Sequence, residues 1–549
     1  MIEAMDPKQQ ESKWRTLSFA VFCLLVVVGV LTLPDYGMVW DEHFRFQGGD
    51  AKLDYYRALV AGEEAPEMSD SYPGLFDLPL AWAHELFPGL GTRSEKGHVY
   101  SFLFGLLGLL AAWRTTARIG GERAGFWALI LLATLPRYYG HLFFNPKDIP
   151  MAGTYMTGVW ALVALFQKMP APPWRSVVWV GLAAGFAMST RIAGFLILCY
   201  FGLFVGLYLA GKYICRIRGQ GFDGTTIQDA GRDLIGWGLR GAFAGLIALL
   251  PLYVFWPALH GKAAAQFAGT VETVQNFAWS QWVLMEGRFY EAGDLPFYYI
   301  PYWLFRTTPE LLLVLLGVAL FASVTLLRRW GRANQWPPAA RWLPAAVVGF
   351  AAVFPLAYLY FTDPVLYDGI RHFLFVLPPM VCFAALGLEF VLRASQRSRS
   401  VLVFRTIQAG VGLGVLLLML QMVSLHPYQY IYFNRLAGGL PGAYTRDETD
   451  YWGASHKAAA EWLGEYIETV DPAGEQKFRV HQRYSLWMLG EHLDPARFEL
   501  TREREGADFY VSFTRYNLHN SYPDVRLLHV VERQGVPLCY VYAFEEELP

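Results

Sequence analysis

The sequence predicts a polytopic α-helical membrane protein of about eleven transmembrane helices, followed by a small C-terminal α/β domain outside the cytoplasm. Three observations carry this reading. Hydrophobic residues make up 54% of the 549 residues and charged residues only 17%, too apolar for a soluble globule of this size. Apolar runs of near-spanning length recur from residue 16 to residue 425 and then stop. Aromatic residues reach 16%, which suits many side chains placed at lipid interfaces. The formal charge of -2 supplies no basic field, so nucleic acid is excluded as a partner. The five cysteines show neither a disulfide framework nor a metal-binding spacing.

A membrane helix needs about 20 apolar residues. Runs bounded by charges or prolines fall at 16–34, 98–113, 124–136, 150–167, 176–190, 193–211, 240–258, 309–327, 343–361, 373–392 and 406–425. The first ends in Leu33-Pro34 without a small-x-small cleavage pattern and is read as a retained helix. With the N-terminus inside, the inner segments collect 21 Lys and Arg against 7 in the shorter outer loops. Cytoplasmic loops retain positive charge, so the chain is expected to run N-in and C-out. Residues 1–425 then form the membrane domain, with outer loops 35–97, 137–149, 259–308 and 362–372, and residues 426–549 form the extracytoplasmic domain. That tail has an amphipathic stretch from Ala458 to Ile467 and strand-like runs at Phe509–Phe513, Val525–Val531 and Leu538–Phe544.

Chemistry concentrates on the outer loops. The first begins Met38-Val39-Trp40-Asp41-Glu42-His43-Phe44, with two adjacent carboxylates just past a span, where such groups are tolerated when they face a cavity. The bland alternative is a solvated acidic loop, since Asp50, Asp54, Glu63, Glu64, Glu67 and Asp70 come after them. The second loop, from Arg137 to Pro150, holds His141, Lys147 and Asp148; Asp148 can cap the following helix, and Lys147 and Arg137 can be interfacial snorkellers. Arg191 comes after Met188-Ser189-Thr190 in a turn too short to be a solvated loop, so it needs an anion. Arg371 and His372 lie at another outer boundary, where Arg371 either grips phosphate or pairs with Asp368 or Asp363. Carboxylates and arginines gathered on one surface suggest a site that handles a phosphorylated lipid and needs a base, which points towards glycosyl transfer from a polyprenyl phosphate.

These motifs resemble the membrane-embedded glycosyltransferases of the C fold, in particular the protein O-mannosyltransferase and lipid A aminoarabinose transferase branch. Asp41-Glu42-His43-Phe44 is similar to the Asp-Glu start of that branch's first loop, and Arg137 through Asp148 to its Arg-to-Asp second outer loop. Gly181-Leu182-Ala183-Ala184-Gly185 through Ser189-Thr190-Arg191-Ile192-Ala193-Gly194 is similar to its Gly-rich helix ending in Ser-x-Lys/Arg-x-x-Gly. The resemblance extends over roughly residues 16 to 425. In the tail, His426-Pro427-Tyr428-Gln429-Tyr430-Ile431-Tyr432-Phe433-Asn434 and Asp450-Tyr451-Trp452-Gly453 look like a bacterial subgroup. One element departs: where the branch often has Pro-Pro-Leu near a Lys or His, this chain has Ser71-Tyr72-Pro73-Gly74-Leu75-Phe76-Asp77-Leu78-Pro79, so a lysine–phosphate contact from that element is not carried over.

The resemblance implies a glycosyltransferase C-type fold in a bacterial inner membrane and an inverting transfer. An acceptor hydroxyl, on a lipid, glycan or protein, is deprotonated by a carboxylate and attacks the sugar of a polyprenyl-phosphate donor. Asp41 is then the base, Glu42 and Asp148 supporting or acceptor-binding carboxylates, and Arg191 and Arg371 phosphate ligands. Lys147, His372 and Arg137 are further substrate-binding residues. The sequence specifies no cofactor; a divalent cation is possible at Asp41 and Glu42, although no single loop holds a full oxygen set. Partners are the lipid-linked donor, the acceptor and membrane lipids. The competing class is a transporter or flippase of a lipid-linked or anionic substrate, which would place charges at midspan and show inverted repeats.

Overall fold

The computed structural model describes residues 7–68, 72–221, 223–261, 263–275, 281–333, 337–362, 364–398 and 400–544. Asp70, Ser71 and Asp363 lie outside the described residues. Among those described, nine helices are long and apolar enough to cross a membrane, from Lys8–Asp35 to Val401–Leu425. Two of the eleven runs read from the sequence form helices below that length, Glu122–Ala133 and Trp174–Met188. Twelve residues extend about 18 Å, against an apolar core of about 30 Å. Pro136 and the Ser189-Thr190-Arg191 turn interrupt these two runs.

The centre of the bundle is the Asp148–Phe166 helix, buried along most of its length and packed against Arg93–Gly120 and Trp174–Met188. Trp174–Met188 in turn lies against Gly224–Phe255. Gly181 and Gly185, one helical turn apart, allow that approach: a Cβ on Gly181 would meet the Ala244 carbonyl at 2.6 Å, and one on Gly185 would strike the Ala248 carbonyl and Pro251. A backbone carbonyl in a packed helix cannot step aside. Gly185→Val is therefore expected to cost about 1–3 kcal/mol by overpacking, whereas Gly206→Val, with nothing within 4 Å of its Cβ, is expected to be nearly neutral. Thermal unfolding of both purified variants checks this, and equal melting shifts would refute the packing argument.

Segment 35–97, expected as a loop, holds two helices, Trp40–Ala61 and Asp77–Leu86. Segment 259–308 contains a hairpin, β1 (Trp282–Met285) against β2 (Arg288–Glu291), and the amphipathic helix Tyr299–Thr307, which buries Tyr299, Ile300 and Trp303. The tail carries a five-stranded mixed sheet made of β3 (Phe478–His481), β4 (Phe498–Thr501), β5 (Phe509–Phe513), β6 (Arg526–Arg533) and β7 (Val536–Ala543), in the order β4-β3-β5-β7-β6. β3 runs parallel to β4 and β5, while β7 is antiparallel to β5 and β6. The helix His456–Val470 buries Ala459, Ala460, Leu463 and Ile467 as its apolar period requires, and Trp462 stacks on His529 with centroids 4.5 Å apart. Between bundle and sheet, residues 426–455 lie over the same end of the bundle as Asp41. Gly140 admits them, since a Cβ there would meet the Gln429 carbonyl carbon at 2.8 Å.

Candidate active site

Asp41 and Asp148 stand at two helix N-termini, where unpaired N–H groups and the dipole favour an anion. Asp41 is the second residue of Trp40–Ala61 and Asp148 the first of Asp148–Phe166. Asn145 fixes the second start: its Oδ1 accepts from the Lys147 and Asp148 amides at 3.1 and 2.7 Å, and its own amide donates to Asp148 Oδ2 at 3.1 Å.

Arg371 sits between the carboxylates. Its Nη1 lies 2.7 Å from Asp41 Oδ2 and 3.7 Å from Asp148 Oδ2, and its Nε 2.9 Å from Asp368 Oδ2. The other Asp41 oxygen is 3.3 Å from Lys147 Nζ, and Asp148 Oδ1 is 2.7 Å from Arg191 Nη2. Arg515, from the C-terminal domain, donates to Asp368 Oδ1 at 2.7 Å, and the Trp452 indole donates to Oδ2 at 3.2 Å. Asp368 reaches both arginines because it adopts φ +58° beside Gly369 at φ +66°, whose N–H donates to the Tyr299 hydroxyl at 2.9 Å. A Cβ on Gly369 would press on Trp303 at 3.3 Å.

Four cations thus face three carboxylates, and the surplus positive charge suits a phosphate. They are not equally accessible: the side chains of Lys147 and Arg191 are 15% and 20% exposed, that of Arg371 only 3%. A narrow cleft runs from Lys147 past Tyr72 to Arg45. Lys147 Nζ lies 5.2 Å from the centre of the Tyr72 ring, and Arg45 and Lys52 pair with Asp77 at 2.9 and 3.2 Å. Burial alone would raise the Asp41 carboxyl, but Lys147 and Arg371 outweigh it and hold the group well below the usual carboxylate range.

The remaining sequence candidates are placed differently. Glu42 turns back to cap its own helix, accepting from the Val39 N–H at 2.9 Å, and pairs with His98 at 3.2 Å. Burial pushes its carboxyl up, against His98 and that N–H. His372, next to Arg371, packs edge-on against Tyr367 with ring centroids 4.6 Å apart. Arg137 is 1% exposed, which removes the snorkelling reading. It lies in an aromatic cage of Trp303, Phe433 and Tyr451 and ties the 426–455 segment to the bundle. Among the described residues no group of three or more His, Cys, Asp or Glu is arranged to hold a metal ion. Asp41 and Glu42, adjacent in sequence, face different partners. Sequence reasoning missed Arg515, Trp452, Arg45 and Tyr72; Trp452 belongs to the Asp-Tyr-Trp-Gly motif, which was the available signal, while Arg515 had none.

Residues 78–216 match the family model for dolichyl-phosphate-mannose-protein mannosyltransferase, which bears out the resemblance read from the sequence over that segment. No protein of curated function matches the chain. Among solved structures, the chain is similar to apo ArnT from Cupriavidus metallidurans at 16% identity, covering 97% of this chain and 98% of that one, with a TM-score of 0.44. It is similar to the same protein bound to undecaprenyl phosphate at 17% identity, with 98% and 99% covered and a TM-score of 0.42. The Archaeoglobus fulgidus oligosaccharyltransferase tethered with an acceptor peptide shows 12% identity, 90% and 69% coverage and a TM-score of 0.45.

Proposed function

We propose that the chain is an inverting glycosyltransferase that moves a sugar from a polyprenyl-phosphate donor to an acceptor hydroxyl on the extracytoplasmic side of the membrane. The observation that carries the reading is Asp41, a buried carboxylate held between Lys147 and Arg371 within a cluster where cations outnumber carboxylates. In the reaction, Asp41 takes the proton of the acceptor hydroxyl as its oxygen bonds to the anomeric carbon. The bond from that carbon to the donor phosphate breaks, and polyprenyl phosphate leaves with the electron pair. Lys147 and Arg191, the more exposed cations, meet the phosphate, and Arg371 braces Asp41 and Asp148 behind them. When phosphate draws Lys147 away, Asp41 loses part of the field that depresses its basicity, so donor binding itself prepares the base. General base catalysis contributes about 10²–10⁴-fold, and fixed cations at a departing charge supply a comparable amount.

Reconstitution with a polyprenyl-phosphate sugar radiolabelled in the sugar tests the reading. Transfer of label to an acceptor with release of polyprenyl phosphate is expected; passage of intact donor across the bilayer without bond cleavage would make the protein a flippase instead. The orientation has its own test. A protease outside intact vesicles of native orientation is expected to cleave within 426–549, because an odd number of spans separates this tail from the inner N-terminal cluster of Lys and Arg. Cleavage only in inverted vesicles would place the site on the cytoplasmic side.

A further inference from the structure

A second cavity, of about 470 Å³, lies where the β1–β2 hairpin, residues 444–451 and the turn 514–520 meet. It backs onto the Asp41 cluster through one residue: Arg515 lines the cavity and holds Asp368, whose other oxygen pairs with Arg371. Glu448 also lines it and is 6% exposed, yet among the described residues neither of its carboxyl oxygens has a side-chain hydrogen-bond partner, and burial outweighs the Leu284 N–H and the Arg515 charge beside it. Burying such a group unsatisfied is costly, and native structures carry few of them. Strain gathers at the same place. Thr445, Tyr516 and Asn517 adopt φ of +63°, +54° and +55°, and all three line the cavity. Left-handed residues other than glycine persist where the surrounding structure enforces them, commonly around bound ligands.

The chemistry of the walls selects the occupant. An anion is disfavoured, because the Asp447 and Asp450 carboxylates line the cavity and its arginine, Arg515, is already paired to Asp368. A cation finds little reward. Asp447 is neutralised by Arg306 at 2.6 Å, Asp450 accepts from the Tyr430 and Ser455 hydroxyls, and burial pushes the Glu448 carboxyl up to about 8, leaving it protonated near neutral pH. What remains is a polar lining whose charges are already paired or hydrogen-bonded within the protein, with the rings of Tyr444, Tyr516 and Tyr540 as apolar faces. We infer that this cavity binds a neutral polyhydroxylated group, the remote sugar of a glycan-bearing acceptor, with Glu448 as its central hydrogen-bonding residue. The identification of the occupant as acceptor rests on the glycosyl-transfer reading above. The site itself rests on the cavity, the buried carboxyl that no side chain satisfies and the strained turn.

Saturation-transfer NMR on the full chain in lipid nanodiscs, probed with the methyl glycosides of glucose, galactose and N-acetylglucosamine, tests the inference. At least one glycoside is expected to show transfer. Glu448→Leu is expected to weaken it at least tenfold, and Glu448→Gln, which keeps a neutral hydrogen-bonding group, to restore most of it. Because Glu448→Leu can disturb folding, Asn520→Trp provides a second variant: Asn520 is exposed at the cavity rim, and the larger ring is expected to block entry. No transfer with any glycoside in the wild type, or transfer unchanged in Asn520→Trp, would overturn the inference. Polyprenyl phosphate binding, measured on the same samples, separates the two readings. Its retention beside absent glycoside binding sinks the cavity proposal alone, and its loss beside retained glycoside binding sinks the donor reading while leaving the site.

Discussion

Asp41→Asn is expected to lower sugar transfer by about 10²–10⁴-fold while polyprenyl-phosphate binding survives. The amide keeps the shape of the side chain but cannot take a proton from the acceptor hydroxyl near neutral pH. It also releases Lys147 and Arg371 from a carboxylate that lies 3.3 and 2.7 Å from them, so donor affinity is expected to stay level or rise. This combination identifies a base: a residue that only held the site together would lose binding along with rate. Glu42→Gln is expected to cost less in transfer, because Glu42 caps its helix and pairs with His98. Rates and donor affinities of the two variants decide the matter, and near-wild-type transfer by Asp41→Asn would remove Asp41 from the mechanism.

The second large effect is at Arg371, and it falls on stability as well as activity. Its guanidinium is surrounded by Asp41, Asp148 and Asp368 and is 3% exposed. Arg371→Met would leave those carboxylates short of a buried partner, and removing one member of a buried ion pair costs about 3–5 kcal/mol. Arg191 pairs with Asp148 and is 20% exposed. Arg191→Met, which leaves Asp148 with Arg371 and Asn145 still beside it, is therefore expected to lower the melting temperature less than Arg371→Met and to weaken donor binding, losing a charge-assisted contact of about 1.5–3 kcal/mol. Thermal unfolding with and without a donor analogue separates the two roles. Equal destabilisation by both substitutions would contradict the division between a structural and a donor-facing arginine.

Glu448 provides a pH test. Its carboxyl is raised in the folded chain to about 8 by burial, whereas an unfolded glutamate titrates near about 4.3. Folding therefore favours the protonated form. Its contribution is fully present below the unfolded value and is lost as pH rises from about 4.5 through 8. The melting temperature of the wild type is expected to fall over that window more steeply than that of Glu448→Gln, and parallel curves would show that Glu448 does not titrate there.

The sequence by itself determined the features that period and composition specify: the long apolar spans, the apolar face of His456–Val470, and strands β5, β6 and β7. Each is written in local alternation or in the absence of charge over a fixed length, and needs no partner to be read. It also brought Asp41, Lys147, Asp148, Arg191 and Arg371 to one end of the bundle, because they border separate spans at the boundary inferred to be outer. Distances among them were beyond it, since ion-pair geometry depends on how helices far apart in sequence pack. Only the tertiary structure decided that Glu42 turns away from Asp41, a consequence of the helix that begins at Trp40, where successive side chains diverge by about 100°. The same holds for Arg137, whose cage comes from Trp303, Phe433 and Tyr451. Arg515 shows the limit most plainly: an arginine in a loop of the C-terminal domain carries no pattern of its own. It joins the site because Asp368, left-handed beside Gly369, needs a second cation for the oxygen that Arg371 does not take.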